Sequence, residues 1–374
     1  MFMRNRPWIS ILLLLVVISG ASAADSPPSS REQQLRELMA EFGRSISLKD
    51  PVRAEQICRD MIALAPEKPM IWYNLSCTQA RQGKTDAALD SLTKSVELGM
   101  IEPALLRKDP DLESLRTQDR FQQCLAQARK NQLAAPYEKG GAIKGLKTEE
   151  RYPEEGLRYR LRLPPDVTAE KPCRLVVWLH PSGGSMNAEV ERLAPMLAGH
   201  RFALMVFTRK QFNLWAPQEI EPMKKSIADA AAIPGVTVER PILMGFSAGG
   251  QVALQLWHND PGVYGGLVLD AAYPIDHPTY YREKRMVLAS LPESPAIAKV
   301  PLFVVVGDQD GGSRLWKQAD TTWRDAGVPL TLRLVPGQKH AWLIKGKEQE
   351  ALDHWLRDLV AGRLPGSKPA QPTN

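Results

Sequence analysis

Apolar positions along this chain repeat with two different periods, and the change between them divides it. From Arg31 to about Asn131 they recur at the spacing that gathers them on one face of a helix. Trp72, Leu75, Gly83, Ala88, Leu89, Leu92 and Val96 fall where a helical-hairpin repeat of about 34 residues places its large and small packing side chains. One period earlier, Ala54, Cys58, Ile62 and Pro66 form a partial copy. The stretch from Asp109 to Leu115, with Phe121 and Leu125, is degenerate and fits a cap. Such repeats bury their apolar faces only by stacking, and about three are needed for stability. Two copies and a cap predict a domain that leans on the remainder of the chain.

Beyond a Gly/Lys-rich segment, Glu138 to Gly145, short apolar runs alternate with helical periods. Leu157 to Leu163, Leu175 to Leu179, Ala203 to Phe207, Pro241 to Met244, Leu267 to Leu269, Leu302 to Val306 and Leu330 to Val335 read as strands. A last helix runs from Glu348 to Val360. Alternation of this kind predicts an α/β domain, a mostly parallel sheet with helices on both faces, following a small all-α domain. The expected organisation is a leader over 1–23, a helical domain over 31–133, a linker over 134–154, the α/β domain over 155–363 and an unstructured, proline-rich tail over 364–374.

Chemistry enters at Gly245-Phe246-Ser247-Ala248-Gly249-Gly250. An apolar strand precedes this run and a helical period comes after it. A serine on so sharp a strand-to-helix turn presents its hydroxyl at the sheet edge, and the flanking glycines keep Cβ atoms out of the turn. Ser247 is therefore a candidate nucleophile. In sheets of this build the acid follows a later strand and the histidine follows the last one. The strand ending at Val306 opens into Gly307-Asp308-Gln309-Asp310, and the strand ending at Val335 leads to His340. Asp310 is far enough past Gly307 for the loop to turn back toward the histidine; Asp308, which can cap that turn, and Asp270 are its rivals. Of the other histidines, His258 and His354 lie within helical periods and His200 ends a helix, where a cation suits the dipole. His277 lies in an insertion and His180 in the loop after a strand.

That loop, His180-Pro181-Ser182-Gly183-Gly184, is placed to supply N–H donors to a developing oxyanion. Proline has no N–H, so one donor falls to Ser182 or Gly183 and the other to Ala248, directly after the nucleophile. Together these residues resemble the α/β-hydrolase superfamily over about Gly156 to Gly362. Within it they are similar to secreted esterases grouped with poly(3-hydroxybutyrate) depolymerases, feruloyl esterases and dienelactone-hydrolase-like proteins, which commonly have glycine at the position of Pro181. The helical region resembles tetratricopeptide repeats.

Composition narrows the setting. Arg4 and Arg6, an apolar run from Ile9 to Ile18 and Ala21-Ser22-Ala23 form a secretory leader pattern. The run is shorter than the ~20 residues of a spanning helix, so no stable membrane span is expected, and the mature protein is expected to be secreted or periplasmic. Cys58, Cys77, Cys124 and Cys173 show neither framework spacing nor a metal cluster, and read as buried thiols. A formal charge of +6, spread along the chain without basic clusters among aromatics, argues against nucleic-acid binding.

The resulting expectation is a serine ester hydrolase in which Ser247, His340 and Asp310 act together, with no cofactor or metal required. Its substrate is a small or polymeric ester, and the helical repeats are a surface for a protein or peptide partner. Phe212, Trp215, Tyr273 and Trp342 follow strands, where this fold sets its pocket; Trp215, Tyr273 and Trp342 are the expected pocket wall. An envelope scaffold with a weakly active core and a serine peptidase are the alternatives.

Overall fold

A computed structural model describes residues 30–208 and 217–367. The chain divides into two compact units at Ala135/Pro136. The first is all helical: α1 (Ser30–Ser47), α2 (Pro51–Leu64), α3 (Pro69–Arg81), α4 (Thr85–Glu97), the short α5 (Pro103–Lys108) and α6 (Asp119–Ala134). Sharp punctuation sets the boundaries. Asp50 caps α2 by accepting from Arg53 N at 2.9 Å, with Pro51 at the first helical position. Gly83, at φ 73°, supplies the left-handed residue that turns α3 into α4.

The helices of this unit pack in succession, α1 on α2, α2 on α3 and α3 on α4, with α6 against both α4 and α5. Of the positions singled out by period, Ala54, Cys58, Leu75, Ala88, Leu89, Leu92 and Val96 are buried, Ile62 is half-buried and Pro66 is exposed. Trp72 is half-buried and donates from its indole to Pro66 O at 2.9 Å. The degenerate stretch is organised by polar groups. Asp109 accepts from the Tyr73 hydroxyl and from Asp111 N, while Arg81 pairs with Asp111 at 2.7 Å. No described helix is long and apolar enough to cross a membrane.

The second unit is built on eight strands: β1 (Lys147–Arg151), β2 (Tyr159–Leu163), β3 (Cys173–Leu179), β4 (Phe202–Phe207), β5 (Val236–Phe246), β6 (Gly266–Asp270), β7 (Leu302–Gly307) and β8 (Leu330–Val335). They form one sheet in the order β1-β2-β4-β3-β5-β6-β7-β8. β2 pairs antiparallel with both β1 and β4, and the remaining pairings, from β4–β3 through β7–β8, are parallel. This is the α/β-hydrolase fold. Its helices are α7 (Asn187–Val190), α8 (Ala194–Gly199), α9 (Pro217–Asp229), α10 (Ala248–Asn259), α11 (His277–Glu283), α12 (Ser313–Asp325) and α13 (Lys347–Val360).

Alternate residues of β3 face opposite layers, as strand geometry requires. Leu175, Val177 and Leu179 pack in the layer that holds Trp257 of α10 and Trp316 of α12. Val176 and Trp178 pack with Leu197 of α8 and Trp355 of α13.

Three segments depart from the expected pattern. Residues 147–151, expected within a linker, form β1, an edge strand whose Lys-Thr-Glu-Glu-Arg sequence has no apolar run to announce it. The glycine-rich stretch before it is held against this unit: Glu138 N donates to Thr208 O, and a Cβ on Gly140 would collide with the Arg160 guanidinium. At the other end, Gly366, expected in the unstructured tail, packs on the Leu330 backbone and accepts from Arg324 at 3.0 Å. The leader and residues 368–374 lie outside the described residues.

β2 carries a buried charge cluster. Arg160 and Arg162 are each 1% exposed, and both Nε atoms reach Glu191 Oε1, at 2.7 and 2.9 Å. Removing one partner from such a cluster strands the others in low dielectric. Glu191→Ala is therefore expected to lower the unfolding free energy by about 3–5 kcal/mol. Urea unfolding of the full chain, followed by tryptophan fluorescence, measures it; a loss below about 1 kcal/mol, the range of exposed pairs, would contradict the buried-cluster account.

Candidate active site

The turn from β5 into α10 places Ser247 at φ 51°, ψ −117°. A non-glycine residue there stores about 1–3 kcal/mol of backbone strain, which its surroundings must hold. They do so from both sides: Ser247 N donates to Asp270 O at 3.0 Å, and Gln251 N donates to Ser247 O at 3.0 Å. The glycines are required by close approach. A Cβ on Gly249 would overlap Leu179 O, one on Gly245 would lie 2.5 Å from Gly249 C, and one on Gly250 would lie 2.5 Å from Ala272 Cβ. Strand and helix thus meet backbone to backbone, and the Ser247 side chain stays half-buried at the sheet edge.

His340 Nε2 lies 2.9 Å from Ser247 Oγ, and its Nδ1 lies 2.8 Å from Asp310 Oδ2. An ionised carboxylate only accepts, so Nδ1 donates to it and Nε2 is left to accept from the serine hydroxyl. The Asp310 side chain is fully buried, while that of His340 is 42% exposed. The other Asp310 oxygen accepts from Gly312 N at 3.0 Å.

The loops carrying these two residues are zipped together. Asp308 N donates to Val335 O and Gln309 N to Gln338 O, each at 3.0 Å. Only glycine fits at 307, because a Cβ there would overlap Gln338 O. Asp308 itself accepts from Gly337 N at 2.8 Å, and so caps the histidine turn instead of meeting the ring.

Asp270, the other rival, also faces away from the imidazole. Its Oδ2 accepts from Leu343 N at 2.7 Å and Ile344 N at 2.9 Å. Burial pushes this carboxyl up to about 7, against the opposing pull of those two N–H groups.

The expected pocket residues are distributed differently. Tyr273 sits beside the histidine–aspartate pair, its hydroxyl 3.3 Å from His340 Nδ1. Burial and the nearby Asp310 carboxylate push its phenol up. Trp342 is half-buried, edge-on to Trp178 at 5.5 Å and to Phe246 at 6.0 Å. Phe246 in turn stacks on His340, centroids 5.5 Å apart and planes inclined by 29°. Phe212 and Trp215 lie outside the described residues.

Pairing of Leu179 with Gly245 brings the loop after β3 out beside the nucleophile turn. In that loop Ser182 and Gly183 are exposed, with Gly183 at φ 86°. Ala248 opens α10, so its N–H is among the four that have no intrahelical partner. His180 is buried, with Nδ1 2.7 Å from Pro181 O. His200 caps α8 and meets Asp353 at 2.7 Å, His258 and His354 are exposed on helices, and His277 opens α11 with its pKa lowered by burial.

All four cysteines are buried and free. Among the described residues one group of metal-type donors lies together, Cys77, Asp109 and Asp111. Its carboxylates are already engaged by Tyr73 and Arg81.

No family model and no curated protein sequence matches the chain. Similar solved structures include the fluorophosphonate-binding serine hydrolase F of Staphylococcus aureus, 12% identical, TM-score 0.43, covering 57% of this chain and 98% of that one. Another is an S-formylglutathione hydrolase from Agrobacterium tumefaciens, 13% identical, TM-score 0.42, covering 62% and 100%. An α/β-hydrolase enzyme from a Medee basin deep-sea metagenome library is 17% identical, TM-score 0.44, covering 59% and 100%.

Proposed function

We propose that this α/β-hydrolase-fold chain is a serine ester hydrolase that cleaves carboxylic esters through an acyl-enzyme on Ser247. The observation that carries the reading is the hydrogen-bonded line from Ser247 Oγ through His340 to Asp310, at 2.9 and 2.8 Å. Neutral His340 takes the serine proton at Nε2 as Oγ attacks the ester carbonyl. Asp310 holds the ring in that tautomer and stabilises the imidazolium that forms. The carbonyl oxygen, now negative, takes hydrogen bonds from the Ala248 N–H and from the Ser182 or Gly183 N–H. As the tetrahedral species collapses, the C–O bond to the alcohol breaks and the leaving oxygen takes the proton from Nε2. Water then attacks the acyl group by the same route and restores the serine.

The half-buried Trp342 and the Phe246 beside His340 favour an acyl or alcohol part with an apolar face. The leader pattern supports an enzyme that acts outside the cytoplasm after export. Consecutive helical hairpins in the first unit support tetratricopeptide-like stacking, with a protein or peptide partner.

Purified protein screened against p-nitrophenyl esters of graded chain length, feruloyl esters and acetylated sugars is expected to turn over at least one class, with turnover lost in Ser247→Ala. Cleavage confined to peptide amides would replace this reading with a peptidase. Inertness toward every class, with Ser247 unreactive, would favour a scaffold.

A further inference from the structure

Asp270 ends an otherwise apolar strand, Gly266-Leu267-Val268-Leu269, and its residue is 0% exposed. A buried carboxyl costs stability unless its oxygens are engaged, yet among the described residues Oδ1 meets no hydrogen-bond partner. A hydrophobe would fill the place without that cost, so the acid calls for another explanation.

Its partners supply one. The backbone carbonyl of Asp270 accepts from Ser247 N, the bond that holds the nucleophile in its strained conformation. Its Oδ2 accepts from the backbone N–H groups of Leu343 and Ile344, just past His340 and Trp342. The next residue, Ala271, leaves the strand at φ 46° with its N–H on Val305 O of β7, the strand that leads to Asp310.

We infer that Asp270 is a positioning residue that ties the nucleophile turn to the histidine loop, setting the Ser247–His340 distance without touching the reacting atoms. This inference rests on the reading of Ser247 and His340 as the reacting pair.

Two charged side chains act on the tether: Asp310 opposes its ionisation and Lys345 favours it. With the carboxyl raised to about 7, the ionised and protonated forms exchange near neutral pH. The ionised form accepts the two N–H groups more strongly, because charge-assisted bonds are the stronger ones. The linkage has the opposite sign for folding. The native state keeps a proton that the unfolded chain, with an ordinary carboxyl, has already released, so stability falls as pH rises from about 4 to about 7. The tether therefore orders the site at the expense of stability, a combination that a packing residue would not show.

Asp270→Asn keeps an acceptor oxygen for the two N–H groups and removes the charge. At pH 8 the variant is expected to lose about tenfold in kcat on a p-nitrophenyl ester with KM little changed, the pattern of an interaction made in the transition state. Its Tm at that pH should equal or exceed that of the wild type. Unchanged kcat, or a kcat loss accompanied by a lower Tm at pH 8, would overturn the inference.

Amide hydrogen exchange at Leu343 and Ile344 in the wild type tests the tether without any variant. After correction for the intrinsic pH dependence, protection should rise severalfold between pH 6 and pH 8; flat protection overturns the tether. Fluorophosphonate labelling of wild-type Ser247 separates the two levels. Absent labelling counts against the proposed function while the exchange data still judge the tether, and labelling with flat protection counts against the tether alone.

Discussion

Ser247→Ala is expected to lower ester turnover by roughly 10⁵- to 10⁶-fold while leaving the fold in place. The size follows from the site's geometry. Ser247 Oγ is the atom that meets His340 Nε2, at 2.9 Å, and no other group in that turn offers a nucleophile. Water attacking in its place would have only the oxyanion donors and the binding surface to help it, which accounts for a residual rate above the uncatalysed one. Stability should change by less than about 0.5 kcal/mol, the range for a substitution that removes no buried contact. The backbone bonds that hold the turn, to Asp270 O and from Gln251 N, do not involve the hydroxyl. Steady-state kinetics on the best ester from the screen, with thermal unfolding alongside, checks both halves. Activity within a factor of ten of wild type would remove Ser247 from the mechanism.

Asp310→Asn is the second large effect, an expected loss of about 10⁴ in kcat. The fully buried Asp310 carboxylate takes the Nδ1 proton at 2.8 Å. An amide in its place can present an N–H to Nδ1, which then accepts; the proton moves to Nε2, and the serine loses its base. Asp308→Asn should cost far less, since an Asn oxygen can still accept from Gly337 N and keep the turn. Asp270→Asn falls between them. Kinetics on all three variants orders them; if Asp308→Asn proves the most damaging, the assignment of Asp310 fails.

The parts of this molecule legible in the sequence are those set by local pattern. Ser247 and Asp310 come directly after the apolar runs that close β5 and β7, and His340 follows the alternating strand β8, so strand context and chain order point to them; the structure brings the three into one hydrogen-bonded line. The helices of the first unit are legible for the same reason, through Leu89, Leu92 and Val96 on one face of α4.

The features that local pattern misses depend on distance along the chain or lack an apolar signal. β1 is charged at nearly every position and paired at an edge. β5 begins at Val236 instead of Pro241, because Glu239 and Arg240, the latter at φ 47°, break the apolar run before the proline. Asp270 meets Leu343 across 73 residues, a register fixed by the packing of β6 and the histidine loop that no local window contains. An acid closing an apolar strand is the available signal, and it points to a rival for the triad instead of a tether. Tyr273 groups with Trp342 in the sequence because both come after strands. Gly312 separates their roles, since its missing Cβ leaves the space that the Tyr273 ring occupies against the loop carrying Asp310.

Reaction of the full-length protein with a fluorophosphonate, followed by intact mass and peptide mapping, tests the central claim most directly. A nucleophile activated by His340 is expected to take one adduct per chain, on the peptide that carries Ser247, with none on Ser247→Ala. An unlabelled wild type, or an adduct mapped to a different serine, would contradict the account.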